Sequence, residues 1–424
     1  MDVILVVNAG SSSIKFQIFA VAGTRTLKRL LRGQMDGIGS RPRFLVTGPD
    51  QSKLVDQTYS VSDAPDVATS ISIVADWLRK TQSSLTLVSV GHRVVHGGPD
   101  FDRPVIVDEG VLKTLERFAP LAPLHQPSNL APIRTLLARR PELPQVACFD
   151  TAFHRGHEAV ADHFAIPLHF YTEGVRRYGF HGLSYEYVSQ ALRDRAPEIA
   201  KGRVIVAHLG SGSSMCAMAD GRSVESTMGF TALDGLPMGT RPGQIDPGVL
   251  LYWIMEKGMK PEDVQNLLYR DSGLKGLSGI SNDMRALQAN DDPCAKLAVD
   301  YFVYRAGLLA GMLAASLGGL DAFVFTAGVG ENSAIIRERI TEKLRWLGAE
   351  LDRDRNVAIK EVISTEKSRV KVLIVPTDEE QMIARHTLTL LPEGSSQQQA
   401  VLVEEPTSAP GHKATSERAS IGAR

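Results

Sequence analysis

Apolar positions along the chain follow two rhythms. Runs at 3–7, 84–92, 144–150, 203–210, 321–328 and 370–377 are rich in Val, Ile, Leu and Phe and contain or end at Gly, Asn, Asp, His or Pro, which predicts strands. Between several of them, 66–80, 109–118, 184–193, 293–317 and 333–347 space their apolar residues three and four apart, which predicts helices. Strands alternating with helices predict an α/β fold with helices on the sheet faces.

One pattern occurs twice. VILVVNAGSSSIKFQIFAVAGTR near the start resembles RVIVAHLGSGSSMCAMADGRSVE from 203 onward: apolar strand, Gly/Ser turn, second strand, glycine turn. Two such hairpins about two hundred residues apart suggest internal duplication and two similar domains facing each other. From 392 to 424 the chain turns to Ser, Gln, Pro and Ala without sustained periodicity, and a disordered tail is expected there.

The bulk numbers narrow the classes. A chain of 424 residues with 43% hydrophobic content has ample material for two or three cores. A formal net charge of −1 argues against nucleic acid or an anionic membrane surface as partner. Three cysteines, Cys148, Cys216 and Cys294, form no CxxC pair, which fits a reducing, cytoplasmic setting. The apolar run at 3–7 is too short for a signal peptide core, and the apolar stretch 306–320 reads as a buried helix.

Several short motifs carry chemistry. Asn8 to Lys15, NAGSSSIK, is either an ordinary hairpin turn or a turn whose N–H groups and hydroxyls converge on an anion, with Lys15 beside it. The spacing is not that of a P-loop, and a strand follows where a P-loop has a helix. AHLGSGSS at 207–214 is a second such turn; small residues at Gly210 and Gly212 let a ligand approach the backbone. FTAGVGEN at 325–332 reads as a glycine turn before a helix starting at Ser333, which would suit a nucleotide phosphate. In SNDMR, Asp283 is a helix cap or part of a binding loop.

GHRVVHGG places Arg93 between apolar residues, where its planar fork could grip a carboxylate. His92 and His96 lack a third ligand nearby, so zinc is rejected. CFDTAFH ends a strand at Asp150, RRYGFHG holds Phe180 and His181 between glycines, and MGTRPGQIDPG is a polar loop around Arg241 that could clamp a transferring phosphate. In PTDEEQMIAR the acids 378–380 are either helix caps or hard oxygen ligands for Mg²⁺.

Taken together and in order, NAGSSSIKF, GHRVVHGG, FDTAFH, RYGFHG, HLGSGSS, MGTRPGQIDP, SNDMR, FTAGVGEN and PTDEE resemble the acetate kinase (acetokinase) family, within the superfamily of actin, sugar kinases and heat-shock chaperones. The resemblance runs from about residue 3 to about 389. It implies two ribonuclease H-like (actin-like ATPase) domains related by duplication with a cleft between them: 1–150 plus a returning helix at 380–391, and 151–379. It implies a homodimer and reversible, Mg²⁺-dependent phosphoryl transfer from ATP to acetate, with Mn²⁺ a possible substitute. Propionate or butyrate kinase and a non-catalytic nucleotide-dependent protein are the alternatives.

Residue by residue, the resemblance puts Asn8 and Glu379 at the metal, and Lys15 near the nucleotide phosphates. It puts Arg93 on the substrate carboxylate, with Val95, Leu124 and Phe180 around the methyl group. His181 and Arg241 would stabilise the transferring phosphoryl, with Asp150 essential beside them. His208, Leu209, Gly210, Ser211, Gly212, Asp283, Met284, Arg285, Gly328, Val329, Gly330, Glu331 and Asn332 fall in the nucleotide loops. Two positions depart from the family pattern: Ser211 stands where asparagine is common, and Ala232 where a pocket proline is. The smaller Ala232 would loosen the pocket towards propionate, while Val95 keeps one wall bulky.

Overall fold

The computed structural model describes residues 1–10, 12–22 and 26–391. The expected disordered tail lies outside them. Among these residues, two sheets form. The first contains β1 (Asp2–Ala9), β2 (Ser13–Ala22), β3 (Thr26–Asp36), β4 (Arg43–Thr47), β5 (Lys53–Thr58), β6 (Thr86–Val94), β7 (Val105–Ile106) and β8 (Gln145–Phe149), in the order β5-β4-β3-β2-β1-β6-β8-β7. The second contains β9 (Arg203–Leu209), β10 (Ser213–Ala219), β11 (Arg222–Ser226), β12 (Ala322–Thr326) and β13 (Lys371–Ile374), in the order β11-β10-β9-β12-β13.

The duplication suggested by the two hairpins is visible in this topology. In the first sheet β1 pairs antiparallel with β2 and parallel with β6, and β6 pairs parallel with β8. In the second, β9 pairs antiparallel with β10 and parallel with β12, and β12 pairs parallel with β13. Register aligns the two turns as well: Asn8 faces Lys15 across the first, and His208 faces Ser214 across the second. The parallel strands are buried on both faces, as the unbroken apolar runs at β8 and β12 require.

Helices follow the predicted periodicity with small shifts. The pattern at 66–80 becomes helix Val67–Thr81, capped by the Asp66 side chain on Thr69 N. The pattern at 184–193 becomes Gly182–Arg195, and that at 293–317 becomes Pro293–Ser316. The latter buries Phe302, Val303, Ala306 and Ala310 against Ile205, Phe323 and Phe325 of the second sheet, while Leu297, Tyr304, Leu308 and Met312 face outward. The stretch expected to be a buried helix is thus buried on one face only.

Two helices join the sheets. Helix Gly182–Arg195 places Leu183 among Ile4, Val6 and Cys148 of the first sheet, and Val188 and Leu192 among Val204, Val206 and Val324 of the second. Helix Glu379–Leu390 returns to the first sheet, where Met382, Ile383 and Leu388 pack on Ile4, Val6 and Val146. Gly91 makes this approach possible, because a Cβ there would stand 2.3 Å from Thr387 Oγ1. The two helices are cross-linked by Arg385 donating to Gln190 (2.7 Å) and by a His386–Glu186 contact (2.8 Å).

Helix Gln126–Arg139 does not follow the sequence rules, since Pro132 sits inside it. Its buried amides explain its place. Asn129 donates to Ala9 O and accepts from Val95 N (2.9 Å), while Gln126 donates to His96 O (3.0 Å). Those bonds tie the ends of β1 and β6 together and hold the first half of the site.

Candidate active site

The strand ends of the first sheet bring Asn8, Arg93 and Asp150 together. Arg93 donates through Nε and Nη2 to the two oxygens of Asp150 (3.0 and 2.6 Å), and through Nη1 to Asn8 Oδ1 (3.3 Å). Glu379 Oε2 lies 3.9 Å from Arg93 Nε. A guanidinium has five N–H donors, so two remain for a further anion. Burial opposes the charge on Arg93, but Asp150 and Glu379 outweigh it and hold its pKa raised. Lys15 is exposed at the rim of this cluster.

The acidic run at 378–380 divides three ways. Asp378 caps the helix through Gln381 N (3.0 Å) and pairs with Arg29; Glu380 accepts from Gln17 (3.2 Å). Glu379 alone turns to Arg93. Burial, against the pull of Arg93 and with Asp150 and Glu380 beside it, pushes the Glu379 carboxyl up to about 7.

The second half comes from helix Gly182–Arg195 and the β9–β10 turn. His181 precedes the helix in a left-handed conformation, φ 58°. Its ring stacks on His208 with centroids 4.1 Å apart. Burial, then His208, Arg93 and Arg241, hold its pKa well below the ordinary value, so the ring is neutral at pH 7. Gly212 is wedged beside it: a Cβ there would stand 2.8 Å from Arg241 Nη2 and 3.4 Å from His181 Nε2. Arg241 donates to Ala232 O (2.8 Å), and burial lowers its pKa to about 10. Among the described residues no carboxylate pairs with it.

Val95 and Phe180 form a small apolar cluster with Ala122, Met228 and Met238, against which Ala232 packs. Leu124 is half-buried and lies outside that cluster. Ala122, Met228 and Met238 carry no polar signal, so patterning did not separate them from core. His125, one residue past Leu124, is also a newcomer. Its imidazole is pushed down to about 4 by burial and then by the charges of Arg241 and Arg93.

The loops 208–212, 281–285 and 325–332 meet around the 238–241 loop and β9. Gly239 N donates to Ser211 O (3.2 Å), and the Gly239 Cβ position lies 3.1 Å from Asn282 O. A Cβ at Gly210 would be 3.8 Å from Ala327 Cβ. Leu209 is buried in the core, and His208 holds Ser184 through Nδ1 (2.8 Å). Asp283 caps helix Met284–Gln288 through Arg285 N (2.9 Å), and its carboxylate is also gripped by the Arg285 side chain (2.7 Å). Met284 is buried in the core, so only its backbone is open to a ligand.

One expectation needs correcting. The glycine turn at 325–332 is itself helical: Ala327–Asn332 forms a short helix starting directly after β12, and Ser333 caps the next helix, Ala334–Lys343. Gly328, Val329 and Gly330 therefore lie in a helical turn. Glu331 accepts from Ala327 N (2.8 Å) and Thr377 N (3.2 Å), and Asn332 donates to Gly328 O (2.8 Å). Arg337, fully buried, closes the far end on the carbonyls of Gly330 and Glu331 (3.0 and 2.8 Å), which satisfies acceptors that a glycine-rich helix leaves free. His92 and His96 are structural: His92 Nε2 meets Gln145 Oε1 (2.9 Å), and His96 Nδ1 accepts from Gly98 N (2.8 Å).

Residues 3–385 match the acetokinase family. An acetate kinase of Nitrobacter hamburgensis is 65% identical over 396 residues, 93% of this chain and 98% of its own. A propionate kinase structure from Francisella tularensis superposes with a TM-score of 0.85 at 36% identity, covering 92% of this chain and all of its own. An acetate kinase structure from Porphyromonas gingivalis gives 0.81 at 34%, with the same coverage. The two-sheet architecture, the ordered motifs and the match across nearly the whole length agree, and the chain belongs to the acetokinase family.

Proposed function

We propose that the chain transfers the γ-phosphoryl of ATP to the carboxylate of acetate, reversibly, giving acetyl phosphate and ADP. One observation carries this. Arg241, without an acidic partner among the described residues, and His181 Nε2 both flank Gly212 within the field of Arg93, and Arg241 bonds to Ala232 O, whose residue packs on the apolar cluster of Val95 and Phe180. An acetate ion is already a nucleophile at pH 7, so the chemistry needs little base catalysis. It needs the two oxygens held and the charge of a metaphosphate-like state spread over fixed donors. The two free donors of Arg93 would fix the carboxylate. Arg241 and His181 would face the equatorial oxygens. Asp150, buried and bidentate on Arg93, sets the direction of that fork.

Asn8 and Glu379 supply hard oxygen donors beside Arg93, and a buried carboxyl raised to about 7 gains from a nearby cation. These residues would hold Mg²⁺, or Mn²⁺ in its place, which neutralises nucleotide phosphate charge. The sign of the pH effect follows. A carboxyl raised from 4.5 to about 7 lowers fold stability as pH rises through that window, and a bound cation offsets this. As pH falls below 7, Glu379 takes up a proton and Mg²⁺ affinity drops, approaching tenfold per pH unit. Calorimetric Mg²⁺ titrations at pH 6, 7 and 8 check this; Glu379→Gln should bind weakly at every pH, without the slope.

The chain would work as a homodimer. Helix Pro247–Met255 is strongly apolar yet buries none of its 9 residues. Arg305 on helix Pro293–Ser316 bonds to Gln244 just before it, and each helix exposes apolar side chains: Leu251, Tyr252 and Met255 on one, Tyr304, Leu308 and Met312 on the other. Exposed apolar side chains of this kind support a subunit contact there. Leu308→Glu is expected to halve the mass measured by light scattering, from twice that of the chain to that of one chain, with little change in the fold by circular dichroism.

Ala232 favours a second reading of specificity, since it narrows one wall less than proline would. A methylene is worth about 1–3 kcal/mol of discrimination. Acetate should lead propionate in kcat/KM by no more than about 200-fold, with butyrate lower, and Ala232→Pro should widen the gap. Hydroxamate trapping of the acyl phosphates across chain length measures it. A clear preference for propionate would make the chain a propionate kinase.

A further inference from the structure

His181 and His208 lie ring on ring, and each rests its Nδ1 on a serine hydroxyl: His181 on Ser214 and His208 on Ser184, both at 2.8 Å. Both Nε2 atoms then look towards the glycine loop, 3.4 Å from the Gly212 Cβ position and 3.9 Å from that of Gly210. What His181 offers a phosphoryl oxygen depends on which nitrogen carries its hydrogen. With the hydrogen on Nε2 the ring donates; with it on Nδ1 the ring presents a lone pair, which repels the oxygen.

The surroundings decide between the two. Ser214 Oγ also touches the Tyr185 hydroxyl (2.5 Å). Tyr185 is fully buried, and among the described residues Ser214 Oγ is that hydroxyl's one hydrogen-bond partner. A buried O–H must find an acceptor, so Tyr185 donates to Ser214. Ser214 then has one hydrogen to give, and Nδ1 of His181 is the acceptor within reach. The opposite order, with hydrogen on Nδ1, leaves one hydroxyl hydrogen of the buried Tyr185–Ser214 pair without an acceptor, whichever way the two turn. Ser184, the partner of His208, sits in the first turn of the helix that carries Tyr185, while Ser214, the partner of His181, comes from β10.

We propose that Tyr185 and Ser214 are positioning residues that fix His181 as a neutral donor through Nε2–H, aimed at the group transferred beside Gly212. This rests on the reading that His181 faces the transferring phosphoryl. Neutrality also suits the stack, since two imidazolium rings 4.1 Å apart would repel and Arg93 and Arg241 already supply positive charge.

The test uses the full-length enzyme labelled with ¹⁵N-histidine, in wild-type form and as Tyr185→Phe and Ser214→Ala. The His181 resonances, assigned with His181→Ala, should show hydrogen on Nε2 and an accepting Nδ1 in the wild type, and a mixture of tautomers in Ser214→Ala. Acetyl phosphate formation should fall about tenfold in kcat for Tyr185→Phe and further for Ser214→Ala, up to the ~10²–10³-fold of losing a donor outright. The KM values for acetate and ATP should stay within about twofold, the mark of an interaction made in the transition state. Hydrogen on Nδ1 in the wild type would overturn the proposal, as would wild-type kcat in both variants while His181→Ala is inactive. An active His181→Ala would instead overturn the reading it rests on. Should Ser214→Ala fail to fold, the wild-type spectrum and Tyr185→Phe, which lacks a single hydroxyl, still decide.

Discussion

Arg93→Ala is expected to cut acetyl hydroxamate formation by at least ~10²–10³-fold and to raise the KM for acetate. Three of the five N–H groups on Arg93 hold Asp150 and Asn8, and the two left over are what a second carboxylate would take. The variant should also lose stability, because Asp150 is 2% exposed and its charge would be stranded. Breaking a buried pair from one side costs about 3–5 kcal/mol. A lost fold and a lost site are separable. Arg93→Ala with Asp150→Asn should recover much of the melting temperature and none of the activity. Arg93→Lys should fold, keep the charge and lose the fork. Retained activity with an unchanged KM in Arg93→Ala would remove the carboxylate site from the account.

Arg241→Ala should have the opposite stability signature. Arg241 has no acidic partner among the described residues, and its lowered pKa, about 10, reports the cost of burying an uncompensated cation. Removing it gives up one hydrogen bond to Ala232 O and relieves that cost, so the melting temperature should hold or rise. Activity should fall by about 10²–10³-fold in kcat, with small changes in KM, because the charge it is placed to meet develops only as the phosphoryl leaves ADP. Differential scanning calorimetry beside steady-state kinetics checks both halves. A large loss of stability with unchanged kcat would make Arg241 a structural residue.

These two arginines also show how much of the site patterning could reach. Both sit in segments that fail as core sequence: Arg93 interrupts an apolar strand before Gly97-Gly98, and Arg241 lies in a run of turn-formers. Their exposure as anomalies made them legible. The duplicated hairpins were legible for a related reason, since a Gly/Ser turn between apolar strands has few alternative structures. Three things were not. The helix at Ala327–Asn332 hides because two glycines lower its propensity, and tertiary bonds from Glu331 and Arg337 supply what propensity lacks. Helix Gln126–Arg139 hides behind Pro132, though its buried Asn129 and Gln126 aim the strand ends. His125 hides because a single histidine between prolines has no periodicity, and only folding brings it into the field of Arg241 and Arg93.

The acidic run shows a further limit. Asp378, Glu379 and Glu380 are equivalent by composition. What distinguishes them is which face of the helix start each occupies, and Arg29 and Gln17, distant in sequence, claim two of the three.

The most direct measurement compares acetyl phosphate formation with ATP hydrolysis in one reaction, with and without acetate, at saturating ATP and Mg²⁺. ADP and acetyl phosphate should appear one for one when acetate is present, and ADP release should nearly stop without it. ADP release that continues at the same rate without acetate, with no acyl phosphate formed, would contradict it.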